Sequence, residues 1–165
     1  MNTLPAANLF PLHLNMTALK NNMIVFLADD DADDRLLFEE ALREIYSDVK
    51  LTTAKNGEQL MGILDKTTPP PPHLIFLDLN MPLLNGFECL EQIRKNNKYK
   101  NIPVVICSTS SQKEAIDQVY KKGADYYLCK PDSFQQLKKL LHTVCSIDHL
   151  KQTSRRSREE FFISC

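Results

Sequence analysis

This chain has no basic excess: 20 Lys and Arg stand against 21 Asp and Glu, a formal net charge of −1. Nucleic-acid binders usually carry a basic patch or stripe, so direct contact with nucleic acid is not expected. No apolar run approaches the length of a membrane span, so no membrane partner is expected either. Residues 1–22 lean apolar but lack a basic segment and a compact apolar stretch, so they do not read as a secretory leader. The five cysteines, Cys89, Cys107, Cys129, Cys145 and Cys165, include no close pair, and no Cys/His group has zinc spacing. An odd set of this kind predicts reduced thiols in a cytoplasmic protein, with Cys107 and Cys129 as small core hydrophobes. There is no internal repeat. At 165 residues the chain has room for one domain with a full core and too little for two ordinary ones.

What is present alternates. "NMIVFLA" (Asn22–Ala28) reads as a strand, and Asp33–Tyr46 as a helix with Leu37, Ala41 and Ile45 on one stripe and Phe38 and Leu42 beside it. Val49–Ala54 alternates like a strand, and Gly57–Lys66 reads as a helix capped by Asn56. "TTPPPP" removes backbone donors and restricts its predecessors, so it is a stiff loop. His73–Asp78 and Ile102–Ser108 are continuous apolar runs, as expected of strands buried on both faces. Helices are expected over Gly86–Lys95, Ser111–Lys122 and Ser133–Ser146, with Gly123 closing the second of these. The inward residues expected on the last are Phe134, Leu137, Leu140, Leu141 and Val144. A final strand covers Asp125–Cys129. Five strand–helix alternations predict a doubly wound α/β fold with a five-stranded parallel sheet and right-handed crossovers.

In such folds ligands bind at the carboxyl ends of the strands. Asp29 and Asp30 end the first strand, Asp78 the third and Ser108 the fourth, and Lys130 follows the fifth. The first of these ends is unusual, because "VFLADDDADD" puts five aspartates among six residues. Asp31, Asp33 and Asp34 suit a solvated turn and helix N-terminus, where carboxylates cap amides and favour the helix dipole. Asp29, Asp30 and Asp78 crowd one sheet edge, and a hard divalent cation there would relieve their repulsion.

The pieces "VFLADD", "LIFLDLNMPLLNGFECL", "IPVVICSTSS" and "GADYYLCKP" fall in one order and spacing. They resemble the receiver domain of two-component response regulators, from about Met23 to Ser146. The resemblance implies a flavodoxin-like receiver fold with strand order 2-1-3-4-5. It implies that Asp78 accepts a phosphoryl group from a sensor histidine kinase or phosphotransfer protein. Asp30 and Asp78 would ligate Mg²⁺ (Mn²⁺ being an alternative), Asp29 would act largely through water, and Asn80 would add its backbone carbonyl. Ser108 would bind a phosphoryl oxygen, Lys130 would pair with the phosphoryl group, and Tyr127 would be the aromatic switch. No enzymatic activity beyond self-directed phosphotransfer and autodephosphorylation is implied. The signal would leave through a downstream protein not named by the sequence, from a monomer or a phosphorylation-dependent dimer. The chemistry suits these residues, since phosphoryl transfer needs charge neutralisation and positioning more than covalent help.

Two departures from the family stand out. Asp132-Ser133-Phe134 follows "KP" where a short apolar residue and Phe are common, and Asp132 is expected to cap the last helix. Thr109 follows Ser108 where a smaller residue is common, which would restrict access to Asp78. "FLDLN" also fits the Asp-x-Asx nucleophile of haloacid dehalogenase-class phosphatases, but that class places its acidic pair downstream, whereas here it lies upstream. Beyond residues 23–148, an N-terminal extension (1–22) and a C-terminal tail (149–165) are expected to be weakly ordered. The alternative for the tail is an amphipathic contact through Phe161, Phe162 and Ile163.

Overall fold

A computed structural model describes residues 22–147 and 157–163. The expected N-terminal extension, apart from Asn22, and residues 148–156 and 164–165 of the expected tail region lie outside these. Strands β1 (Ile24–Ala28), β2 (Lys50–Ala54), β3 (Leu74–Leu77), β4 (Val104–Ser108) and β5 (Tyr126–Cys129) alternate with helices α1 (Ala32–Ile45), α2 (Gly57–Lys66), α3 (Gly86–Lys95), α4 (Lys113–Lys121) and α5 (Phe134–Ser146). A helical turn α6 (Arg158–Phe161) leads into a two-residue strand β6 (Phe162–Ile163). The sheet is parallel throughout, in the order β2-β1-β3-β4-β5-β6. The expected five-stranded order is present, with a sixth strand added from the tail. Between α2 and β3 the proline run carries no helix or strand, as its missing donors dictate.

Strands β1, β3, β4 and β5 bury both faces, and successive side chains divide between two cores. Phe26, Ile75, Leu77, Val104, Ile106 and Tyr127 join one of them, with Leu60, Leu64, Leu90 and Ile93 from α2 and α3. On the other side, Val25, Leu27, Phe76, Val105, Cys107 and Leu128 meet Phe38, Ala41 and Leu42 of α1 and Leu140, Leu141 and Val144 of α5. The stripe of α1 is therefore turned from its expected position: Phe38 packs edge-on to Phe76 at 4.8 Å, while Leu37 is 45% exposed. On α5, Phe134 and Leu137 only flank the core that Leu140, Leu141 and Val144 enter. Cys129 is half-buried at the end of β5 rather than a core residue.

Caps fix where the loops begin. The Asp31 carboxylate accepts the backbone N–H groups of Asp34 (3.1 Å) and Asp33 (2.8 Å), which holds its carboxyl below the usual value. Asn56 caps α2 as expected, accepting from the Gln59 N–H at 2.8 Å. Asn85 and Glu88 form a capping box at the start of α3. Ser133, not Asp132, caps α5: it stands at the N-cap, and its hydroxyl accepts from the Gln136 N–H. Gly123 closes the turn after α4 with φ +91°, a conformation that favours glycine.

Candidate functional site

The carboxyl edge of the sheet is assembled by backbone contacts between strand ends. The Asp29 N–H donates to the Ala54 carbonyl, the Asp78 N–H to the Ala28 carbonyl and the Lys130 N–H to the Ser108 carbonyl, at 2.9–3.0 Å. Behind Asp78 the chain folds back tightly, and the Gly86 N–H donates to the Leu79 carbonyl at 3.0 Å. A Cβ at Gly86 would lie 2.2 Å from the Asp78 carbonyl oxygen, so only glycine admits this approach.

Three carboxylates converge there. Asp29, Asp30 and Asp78 each offer an oxygen, and these oxygens lie within 4.8 Å of one another. Asp29 and Asp78 are 3% and 5% exposed, whereas Asp30 is open to solvent. Two aspartates buried beside an exposed third form an all-oxygen donor set open on one side. That is the kind of set a hard divalent cation takes while keeping several waters. The residues therefore fit a divalent cation.

Lys130 is the counterion within this group. Its Nζ lies 2.6 Å from Asp29 Oδ2, 2.8 Å from Asp34 Oδ2 and 3.4 Å from Asp78 Oδ1. Burial pulls the ammonium down, but the hydrogen bonds to Asp29 and Asp34 outweigh it and hold it well above its ordinary value. Burial pushes the Asp29 carboxyl up, opposed by Lys130. Backbone amides satisfy further lone pairs: Asp29 Oδ1 accepts from the Asp31 N–H at 3.0 Å, and Asp78 Oδ2 from the Asn80 N–H at 2.8 Å. Arg35 adds a second cation nearby, donating to the Asp29 carbonyl at 2.7 Å.

Ser108 is fully buried, and its Oγ accepts from the Ser110 N–H at 3.2 Å. The Ser110 carbonyl in turn accepts from the Tyr127 hydroxyl at 2.7 Å. Tyr127 is itself fully buried; burial pushes its phenol up, and the nearby Ser108 hydroxyl opposes this. Thr109 is exposed at the mouth of this edge.

Six of the seven expected site residues thus occupy one edge of the sheet, with Tyr127 reached from it through Ser110. Asn80 contributes its N–H to Asp78. Asp34 was expected to be a solvated residue of the helix start, and the structure corrects this: its carboxylate pairs with Lys130. The signal lay in spacing, since Asp34 stands four residues before Phe38 and so shares the buried face of α1.

A doubly wound parallel sheet with an acidic trio and a lysine at its carboxyl edge is the architecture of a receiver-type module. The response regulator receiver domain model matches residues 25–142, and the chain belongs to that family. It is 30% identical over 125 residues to the response regulator Rcp1 of Synechocystis sp., covering 73% of this chain and 85% of that protein. It is also 30% identical over 120 residues to a probable chemotaxis protein CheY of Rhizobium etli, covering 73% and 90%. Among solved structures, the phosphorylated cyanobacterial phytochrome response regulator RcpA superposes with a TM-score of 0.69 at 30% identity, covering 74% of this chain and 91% of that one. The Mn²⁺-bound form of Rcp1 gives 0.67 at 28% identity, covering 82% and 99%. Among the described residues no helix is long and apolar enough to cross a membrane.

Proposed function

We propose that residues 23–148 form the receiver domain of a cytoplasmic response regulator that accepts a phosphoryl group on Asp78 from a histidine kinase or phosphotransfer protein. The observation that carries this reading is the placement of Asp78: buried, beside Asp29 and Asp30, with the Lys130 ammonium 3.4 Å from its Oδ1. A carboxylate oxygen of Asp78 attacks phosphorus, the bond from phosphorus to the donor breaks, and the donor leaves with that electron pair. Lys130 neutralises charge on the transferred group, and Ser108 donates a hydrogen bond to one of its oxygens. Asp29, Asp30, Asp78 and the Asn80 carbonyl would hold Mg²⁺, or Mn²⁺ in its place, which when bound supplies further positive charge against the phosphoryl oxygens. Tyr127 relays the modified state to a protein partner, and the chain acts on no other substrate beyond its own dephosphorylation. The phosphorylated form works as a monomer or a phosphorylation-dependent dimer.

The test is intact-mass spectrometry after incubation with acetyl phosphate and Mg²⁺. One added phosphate is expected on the native chain and none on Asp78→Asn. An undiminished phosphate on the variant would reject Asp78 as the acceptor.

A further inference from the structure

The segment Ser157–Ile163 packs onto the receiver rather than away from it. Phe161 is fully buried, with its ring 4.9 Å from Tyr120 of α4 and 6.4 Å from Tyr127 of β5. Phe162 stacks on Tyr127 at 5.8 Å, its ring inclined by 21°. In β6, Phe162 pairs with Tyr127 and Ile163 with Leu128, so the tail adds a strand to what would otherwise be the sheet edge. Arg158 forms an ion pair with Asp117 of α4 and lies over the Tyr120 ring at 5.3 Å. Two aromatic rings, a strand pairing and an ion pair thus meet on α4 and β5. Among them sits Tyr127, whose hydroxyl is tied through Ser110 to the phosphoacceptor edge.

We propose that Ser157–Ile163 is a clasp, docked in cis on α4 and β5, whose docking is coupled through Tyr127 to the phosphoryl state of Asp78. The coupling rests on the reading of Asp78 given above. Ser108 can donate to a phosphoryl oxygen while its lone pairs still accept from the Ser110 N–H. Drawn toward Asp78, it carries with it the Ser110 carbonyl that holds the Tyr127 hydroxyl. That favours the buried Tyr127 on which Phe161 and Phe162 pack. Phosphorylation and docking then support each other, and by linkage each strengthens the other by the same factor. The phosphorylated protein presents α4 and β5 with the clasp closed over them.

Hydrogen exchange of the full chain, with and without beryllofluoride and Mg²⁺, tests this. Fluorine NMR on the same samples reports whether the phosphoryl mimic is bound. Exchange across residues 157–163 should slow by about fivefold or more when it is, in keeping with ordinary coupling strengths. Phe161→Ala should speed exchange there by about tenfold or more, because burying a phenylalanine ring is worth at least that factor. The same variant should lower beryllofluoride affinity by the factor it removes from the coupling. Arg158→Ala, which removes contacts to the surface of α4, provides a second variant with the same direction should Phe161→Ala unfold. Unchanged tail exchange with beryllofluoride bound would overturn the clasp while leaving Asp78 as acceptor. Absence of bound fluorine on the native chain would overturn the reading of Asp78 and the coupling with it. Tail protection that rises with protein concentration, alongside a dimer mass, would place the docking in trans and overturn the cis arrangement.

Discussion

Replacing Lys130 by Met keeps an unbranched side chain and removes its charge. Asp29 then loses a partner at 2.6 Å while its own side chain is 4% exposed. Asp34 and Asp78 lose theirs at 2.8 and 3.4 Å. Removing one member of a buried pair typically costs about 3–5 kcal/mol, because the remaining charge is uncompensated. Protonation sets a ceiling on that cost. Neutralising a carboxyl of ordinary value 3.8 at about pH 7 costs about 4 kcal/mol, at about 1.4 kcal/mol per pH unit. A loss of about 3–4 kcal/mol is therefore expected near neutral pH. The pH dependence follows from the direction of the Asp29 shift. Burial raises this carboxyl in the folded state, and without the ammonium its main opposition is gone. A group raised on folding gives its full stability below the unfolded value and loses it as pH climbs through the folded one. The variant should accordingly regain stability relative to the native protein as pH falls from about 7 toward about 4. Mg²⁺ should also recover part of the loss, because a cation among Asp29, Asp30 and Asp78 replaces the missing charge. Urea unfolding at both pH values, with and without Mg²⁺, measures all three effects. A variant as stable as the native protein, or a loss of equal size at both pH values, would refute the assignment of Lys130 as counterion to a buried carboxylate.

Gly86→Ala puts a Cβ 2.2 Å from the Asp78 carbonyl oxygen, and backbone must move to accept it. A loss of about 3 kcal/mol in urea unfolding is expected, with slower phosphate uptake from acetyl phosphate because the acceptor loop shifts. Arg94→Ala removes hydrogen bonds to the Gly123, Lys100 and Ile102 carbonyls and to Asp125, whose Oδ2 also accepts the Val104 N–H. About 2–4 kcal/mol should be lost in the same assay, with the mass-spectrometric phosphate yield retained.

Much of the site was legible because strands buried on both faces tolerate few polar residues. In "HLIFLD" and "IPVVICS" the first polar side chain after the apolar run marks the sheet edge, and Asp78 and Ser108 stand there. Asp34 was not legible from its local context, which is that of a solvated helix start. Its role depends on how α1 is turned, and that is decided by Phe38, Ala41 and Leu42 packing on the sheet in place of Leu37. Arg94 was equally hidden. Its partners come from 6 to 31 residues away, and their meeting depends on how α3 lies against the β4 and β5 entrances.

The tail shows a different limit. Seven residues contain too little pattern to announce a pairing partner, and "EEFFIS" reads as readily as an unpacked segment. The complementary signal lay in β5. An edge strand normally keeps one flank open, yet "YYLC" offers bulky apolar side chains at three successive positions, all of them buried. Tyr127 is fully buried on that strand, and part of its cover comes from beyond the strand's outer flank. Phe161 and Phe162 provide that cover, so the aromatic pair in the tail and the aromatic residue in the strand explain each other. The same logic ties the clasp to the site: a Tyr127 buried by the tail is one already held through Ser110 to the end of β4. Whatever moves Ser108 therefore acts on a side chain that the tail has an energetic stake in keeping in place.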